Sequence, residues 1–206
     1  MNYRLIAIGF VILAVSLALP ALADNSLFGP SGLLRVPSAQ VVSSPGVVGS
    51  VYIVNNVATT VAATVKVLPT VEISPAWVDS RGGDDEFIIS AKWRILDENE
   101  GQPAVALGVF DATDQINFTL YGVVQKGFTM GKTGVNVMAG LGGSDSLVDG
   151  FFCGAQFMLG SGASALVEYD GNDVNAGIRW PIADRMMLTA GLVNDELGAG
   201  LQYNFK

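Results

Sequence analysis

Residues 87–95 read FIISAKWRI, and apolar and polar side chains alternate along this stretch. The odd-numbered positions carry Phe, Ile, Ala, Trp and Ile, whereas the even-numbered positions carry Ile, Ser, Lys and Arg. Because successive side chains of a β-strand point to opposite faces, the pattern predicts a strand with one apolar and one largely polar face. Residues 174–180 (VNAGIRW) and 197–205 (LGAGLQYNF) show the same alternation.

Similar segments follow one another from residue 47 to the end of the chain, and residues typical of turns separate them. No segment has a sustained helical period. We therefore predict an all-β chain of about twelve strands. The predicted strands lie near residues 47–57, 59–68, 70–79, 86–97, 103–111, 115–126, 133–142, 148–159, 162–170, 173–181, 185–193 and 196–205.

The polar face of these strands favours a membrane barrel over a soluble β-sandwich. Sandwich exteriors are usually rich in Lys, Glu and Thr, whereas this face carries mainly Gly, Ser, Asn and Gln. The other face is almost uninterruptedly apolar, as a lipid-facing band with an aromatic girdle would be. The aromatic residues near predicted strand ends are Trp77, Phe87, Trp93, Tyr169, Trp180, Tyr203 and Phe205. We predict a closed antiparallel up-and-down transmembrane β-barrel, because closure leaves no unpaired edge in hydrocarbon.

Residues 1–23 have the three parts of a secretory signal peptide. Arg4 stands near the start, an apolar run covers residues 5–19, and Ala-Leu-Ala occupies residues 21–23. Pro20 and the small-x-small ending favour cleavage over an uncleaved membrane anchor. We therefore divide the chain into a signal peptide at 1–23, a Gly/Pro-rich N-terminal segment at 24–46 and a β-barrel at 47–206.

The composition excludes several classes of function. The net charge of −8 becomes −9 when Arg4 leaves with the signal peptide, so nothing attracts the chain to nucleic acid. The sequence has no His, which excludes Ser-His-Asp and Cys-His catalysis and the commonest zinc ligand. Acidic runs at 84–86 and 97–100 lack the ordered spacing of Ca²⁺ ligands and fit solvated turns. We expect no enzymatic activity, no cofactor, no metal and no nucleic-acid partner.

The N-terminal segment carries a resemblance to a known family. Residues 32–40 (GLLRVPSAQ) are similar to the segment that opens the barrel of YjbH-like proteins, which are Gram-negative outer-membrane β-barrels tied to exopolysaccharide secretion. Residues 167–171 (VEYDG) and 175–180 (NAGIRW) resemble a late hairpin of the same group, and residues 71–73 after Leu68-Pro69 are a third match. The resemblance implies an outer-membrane location. The implied partners are outer-membrane lipid, the barrel-assembly machinery and polysaccharide-export proteins.

The resemblance also suggests a role for residues 26–40 (SLFGPSGLLRVPSAQ). This segment would fold against one mouth or into the lumen, and Pro37 would end the inserted piece. Its leucines would then be covered by protein. The alternative is a disordered leader, although such leaders rarely carry so many large apolar residues. The residues assigned to this plug are Leu33, Leu34, Arg35 and Pro37.

If the alternation holds, the lumen receives the polar side chains of the second face. These are Lys66, Glu72, Lys92, Arg94, Glu168, Asp170, Asn175, Arg179, Glu196 and Gln202. Glu168 and Arg179 flank one turn, and counting inward places them nearly opposite each other, so we expect an ion pair. These charges either hold the hairpin register or line a polar path or ligand site.

Two functions therefore remain open at the level of the sequence. The first is an outer-membrane β-barrel, porin-like in architecture, with a structural or passage role that the resemblance links to exopolysaccharide export. The second is a secreted soluble β-barrel that binds a small ligand in its cup.

Overall fold

The structure is a computed structural model, and it describes residues 24–43, 46–131, 133–143 and 147–205. The predicted signal peptide at 1–23 lies outside the described residues. Within these ranges the regular elements are strands. No helix in the described part of the chain is long and apolar enough to cross a bilayer.

Twelve antiparallel strands form the sheet. They are β1 (Val47–Val54), β2 (Ala58–Leu68), β3 (Val71–Ser80), β4 (Asp85–Leu96), β5 (Ala104–Phe110), β6 (Thr119–Met130), β7 (Thr133–Gly142), β8 (Phe151–Met158), β9 (Ser164–Tyr169), β10 (Val174–Ala183), β11 (Met186–Val193) and β12 (Glu196–Phe205).

The sheet closes on itself. Each strand pairs with its neighbours in sequence, and β1 pairs antiparallel with β12 from Val47↔Phe205 to Val54↔Gly198. The predicted closed antiparallel up-and-down barrel of about twelve strands is therefore confirmed. We call the end where β1 begins and β12 ends the terminal mouth, and the opposite end the loop mouth.

The outward side chains are mainly large, apolar and exposed. Aromatic residues form a belt near each mouth. The belt at the terminal mouth consists of Trp93, Phe128, Phe157, Trp180, Tyr203 and Phe205, and the belt at the loop mouth contains Trp77, Phe87, Phe118 and Phe151. Tyr169, predicted to be part of the girdle, is half-buried, and its hydroxyl donates to the Gly171 carbonyl oxygen at 2.6 Å. Aliphatic side chains such as Val61, Leu107 and Ile178 are exposed between the belts.

The largest difference from the predicted strand limits lies in β6, which begins at Thr119 rather than near residue 115. The buried Asp111 carboxylate orders the preceding loop, because it accepts the backbone N–H groups of Ile116 at 2.6 Å and Asn117 at 2.8 Å. The Thr113 hydroxyl donates to the other carboxylate oxygen of Asp111 at 2.6 Å. Burial alone would raise the pKa of Asp111, but these hydrogen bonds outweigh it and hold the pKa below its usual value.

Asp111→Asn should lower the free energy of unfolding by about 1–2 kcal/mol at neutral pH, because a charged acceptor is lost. The positive φ of 55° or less at this loop's aspartates suits Asn as well, so backbone strain does not enter. Since the folded pKa is depressed, the contribution is present above the unfolded pKa and disappears as the pH falls through the folded value. Urea unfolding of the detergent-folded barrel at neutral and acidic pH measures both effects.

The matched control is Asp114→Asn in the same loop, where an exposed carboxylate accepts the Phe118 N–H at 3.2 Å. We expect it to change stability by less than about 0.5 kcal/mol. Equal losses at the two positions, or a loss at Asp111 that persists unchanged in acid, would contradict this account of the loop.

Candidate functional site in the barrel lumen

The N-terminal segment lies inside the barrel. From Asp24 to Val42 its residues are buried, apart from Arg35 and Gln40, which are partly exposed. Leu33, Leu34 and Pro37 are all buried. Burial does not stop at Pro37, where we expected the inserted piece to end, but continues to Val42. We call residues 24–42 the plug.

The barrel has room for the plug because many inward side chains are small. A barrel of about eight strands is filled by its own side chains, and one of twelve strands leaves space. Gly154 shows how closely the two parts approach, because a Cβ built there would lie 2.4 Å from Leu33 Cδ1. The inward small residues include Ser50, Ala62, Ser74, Ala76, Ser90, Ala104 and Ala106.

The first anchor of the plug is the buried ion pair of Glu72 and Lys92, whose charged atoms lie 3.0 Å apart. Glu72 accepts the backbone N–H groups of Ser31 at 2.8 Å and Val42 at 2.9 Å. Lys92 donates to the Ser31 carbonyl oxygen at 2.7 Å, and the Ser31 hydroxyl contacts both charged groups. This ion pair between neighbouring strands therefore holds the plug at two separate places, Ser31 and Val42.

The second anchor is the buried Glu168 carboxylate. It accepts three consecutive backbone N–H groups of the plug, from Leu34 at 2.9 Å, Arg35 at 2.7 Å and Val36 at 3.2 Å. Asn175, opposite Glu168 in the β9–β10 register, donates to the same carboxylate at 3.1 Å. A kinked chain that presents successive N–H groups forms a concavity suited to an anion, and Glu168 occupies it.

The third anchor is Arg179, which is 1% exposed. Its guanidinium donates to the carbonyl oxygens of Asn25 at 3.2 Å, Gly32 at 3.2 Å and Leu33 at 2.9 Å. It also forms an ion pair with Asp24 at 3.0 Å.

The prediction of an ion pair between Glu168 and Arg179 is wrong. The tight turn sets Glu168 opposite Asn175 and Arg179 opposite Ser164, so the two charges sit at different depths in the barrel. Glu168 and Arg179 each bind the plug and do not bind each other.

Arg35 closes the lumen at the loop mouth. It donates to Asp170 at 2.6 Å and to Asn194 at 2.8 Å, and its guanidinium lies over the Phe28 ring at 5.7 Å from the centroid. Asp170 is buried and also accepts from Asn175 at 3.1 Å. The tip of the plug thus reaches the end of the barrel opposite the chain termini.

The remaining predicted lumen residues lie at different depths. Gln202 is buried and donates to the Asn25 carbonyl oxygen at 3.0 Å. Glu196 is on the inward-facing set of β12 but lies at the rim of the loop mouth, where it accepts from Asn56 at 3.0 Å. Lys66 and Arg94 lie at the terminal mouth and line a cavity of about 500 Å³. We call this cavity the cup.

Other plug partners were not predicted from the sequence. The side-chain amide oxygen of Gln125 accepts the Ala39 N–H at 3.1 Å, and the Thr64 hydroxyl donates to the Gly29 backbone carbonyl oxygen at 2.5 Å. Tyr52 donates to the Asn25 carbonyl oxygen at 2.9 Å. All three lie on inward positions of their strands, so the alternation itself was the signal that could have found them.

Comparison with models of known protein families finds no match, and comparison with curated proteins finds none either. In the described ranges, no group of three or more His, Cys, Asp or Glu residues is placed to hold a metal ion. The polar contacts of the lumen are mainly hydrogen bonds between charged side chains of the wall and backbone groups of the plug. Acidic side chains take plug N–H groups, and basic side chains take plug carbonyl groups.

Arg179→Met should loosen the plug, because it leaves Asp24 and the carbonyl groups of Gly32 and Leu33 without the Arg179 donor. Removal of one partner of a buried ion pair costs about 3–5 kcal/mol, which corresponds to roughly two to four orders of magnitude in amide exchange rate. Hydrogen exchange read by mass spectrometry should show this acceleration in plug peptides and much less in β2 or β6.

Arg81→Met is the matched control. Arg81 is exposed on a turn and donates to Asn56 at 2.6 Å, so its loss should leave plug exchange unchanged. Slow plug exchange in Arg179→Met would show that the other anchors suffice without this guanidinium.

Proposed function

We propose that the chain is an outer-membrane β-barrel whose lumen is closed by its own N-terminal segment, with a structural or gated-passage role. The observation that carries this proposal is the inverted distribution of polarity. Buried inward positions hold ionisable residues such as Glu72, Lys92 and Arg179, whereas outward positions hold exposed Val, Leu, Ile and aromatic side chains. Hydrocarbon around the barrel would make such an exterior favourable.

The alternative of a secreted soluble barrel fits this surface poorly. Soluble proteins rarely expose contiguous apolar patches larger than a few hundred Å². Here the exposed apolar side chains belong to every strand of the barrel, including Val51 in β1, Leu107 in β5 and Leu201 in β12. Two aromatic belts edge this band, an arrangement that suits the two interfaces of a bilayer.

A passage role would require movement of the plug. Leu27, Phe28, Leu33, Leu34 and Val36 pack inside the lumen, and each is less than 7% exposed. The plug is held by hydrogen bonds and ion pairs, which water can replace one by one. This supports a lumen that is closed at rest and opens when the plug is displaced.

A role in exopolysaccharide export is a further part of the proposal, and it is supported by the resemblance of residues 32–40 and 167–180 to YjbH-like proteins. Those residues include the plug tip and the Glu168 hairpin that binds it. In that role, the partners would be polysaccharide-export proteins, with the assembly machinery inserting the barrel. Secreted polysaccharide measured in cells with and without the chain tests this link.

Two substitutions on the outward face of one strand, at different depths, test the membrane location. Ile178 lies mid-strand in β10, whereas Val174 begins that strand, and both are exposed on the outward face. Arg at the bilayer midplane costs about 2–4 kcal/mol, and near the interface about 0–1 kcal/mol. Ile178→Arg should therefore sharply reduce the amount of assembled barrel in the membrane, while Val174→Arg should not.

Assembled protein is measured by fractionation and by heat-modifiable mobility on a gel. A soluble barrel would tolerate both substitutions equally, since each places a charge in water. Equal, near-normal yields of the two variants would overturn the membrane location.

Deletion of residues 26–40 tests the closure of the lumen. The strands pair only with one another, so we expect the barrel to assemble. The buried charges of the wall would then face water, and single-channel conductance in planar bilayers should rise well above that of the intact protein. Heat-modifiable mobility shows whether the deletion variant is folded. A folded variant whose conductance does not rise would contradict a plug that blocks passage.

A further inference from the structure

The cup lies between the plug and the wall at the terminal mouth. Its wall side carries inward residues of β2, β4, β6, β7 and β8, and its other side is formed by plug residues between Asp24 and Val41 and by Ser43. It reaches solvent beside Ser43, which is exposed. Its volume of about 500 Å³ lies within the range of ligand-binding clefts.

One cation of the cup has no counter-charge. Arg94 pairs with Asp97 at 2.6 Å, Glu98 lies 3.8 Å from Lys126, and Asp24 pairs with Arg179. Lys66 stands opposite Glu72 in the β2–β3 register, but Glu72 is engaged with Lys92 at 3.0 Å. Within the described part of the chain the Lys66 ammonium makes no ion pair, so the cup has an excess of one positive charge.

The cup also presents polar groups with unused hydrogen-bonding capacity. Gln125 uses its side-chain oxygen on Ala39, and Gln40 uses its side-chain oxygen on Arg94 at 3.1 Å, so that among the described residues the NH₂ groups of both have no acceptor. Gln156 uses its NH₂ group on Ser164 at 3.1 Å and keeps its carbonyl acceptor. Asp24 Oδ1 is buried without a hydrogen-bond donor among the described residues.

These groups together define a ligand chemistry. Hydroxyl groups satisfy donors and acceptors alike, and a carboxylate would neutralise Lys66. Met138 and Met158 supply a limited apolar surface for the C–H face of a ring. We propose that the cup binds a small hydroxylated monoanion, a sugar acid of one or two rings. This goes beyond the proposed function, and it can be tested in detergent independently of membrane insertion.

Isothermal titration calorimetry of the full-length barrel in detergent tests the inference with D-glucuronate, D-glucose and D-glucosamine. A charge-assisted contact with Lys66 should make glucuronate bind about tenfold more tightly than glucose. Glucosamine should bind no better than glucose. Lys66→Gln should remove the preference for glucuronate while leaving glucose binding unchanged.

Arg185→Gln is the matched control, because it removes a positive charge at the same mouth from a residue that does not line the cup. It should preserve the preference. The inference is overturned if none of the sugars binds, if glucose and glucuronate bind equally, or if the preference survives Lys66→Gln. Equal loss of preference in both variants also overturns it, because the mouth would then act only through its overall charge.

Discussion

The structure depends on one constraint, which is that a chain segment without secondary structure of its own must satisfy its backbone polar groups inside a closed barrel. The plug is kinked by Gly and Pro, and its own backbone hydrogen bonds, such as Ser26 N–H to the Pro30 carbonyl oxygen at 2.9 Å and Leu33 N–H to the Val36 carbonyl oxygen at 2.9 Å, satisfy only part of its polar groups. Unsatisfied backbone groups are costly in a water-poor space. Four charged residues of the wall help to meet this need, and one of them, Lys92, donates to the Ser31 carbonyl oxygen. Glu72 and Glu168 accept N–H groups, and Arg179 donates to carbonyl groups.

The same constraint explains why ionised residues are tolerated in the lumen. A buried charge is destabilising unless hydrogen bonds and an opposite charge compensate it. Glu168 has no basic partner within salt-bridge distance among the described residues, and its compensation comes from plug N–H groups and Asn175. The wall and the plug are therefore interdependent, since each provides the partners that make burial of the other possible. Small inward residues complete the fit by leaving room for Leu33 and Leu34.

The sequence predicted the closed barrel because alternation is a local property that each strand carries in full. It could not predict the contacts of the lumen, because those depend on where the plug lies relative to the wall. Glu168 and Arg179 illustrate the limit. Their positions on one hairpin suggested mutual pairing, yet register separates them and the plug binds each. The start of β6 was also misplaced, since the Asp111 carboxylate orders the preceding residues through side-chain acceptance of backbone N–H groups.

The path of the plug restricts how the lumen could open. Asp24 lines the cup at the terminal mouth, and the chain returns to that mouth at Gly46, whose carbonyl oxygen accepts the Lys66 N–H. The tip at Arg35 lies at the other end, bound to Asp170 and Asn194. A segment that enters and leaves by one mouth can withdraw as a loop through that mouth without threading its ends. Withdrawal in this direction breaks the Arg35 contacts first at the tip and then passes through the cup. Any occupant of the cup would therefore lie on this route.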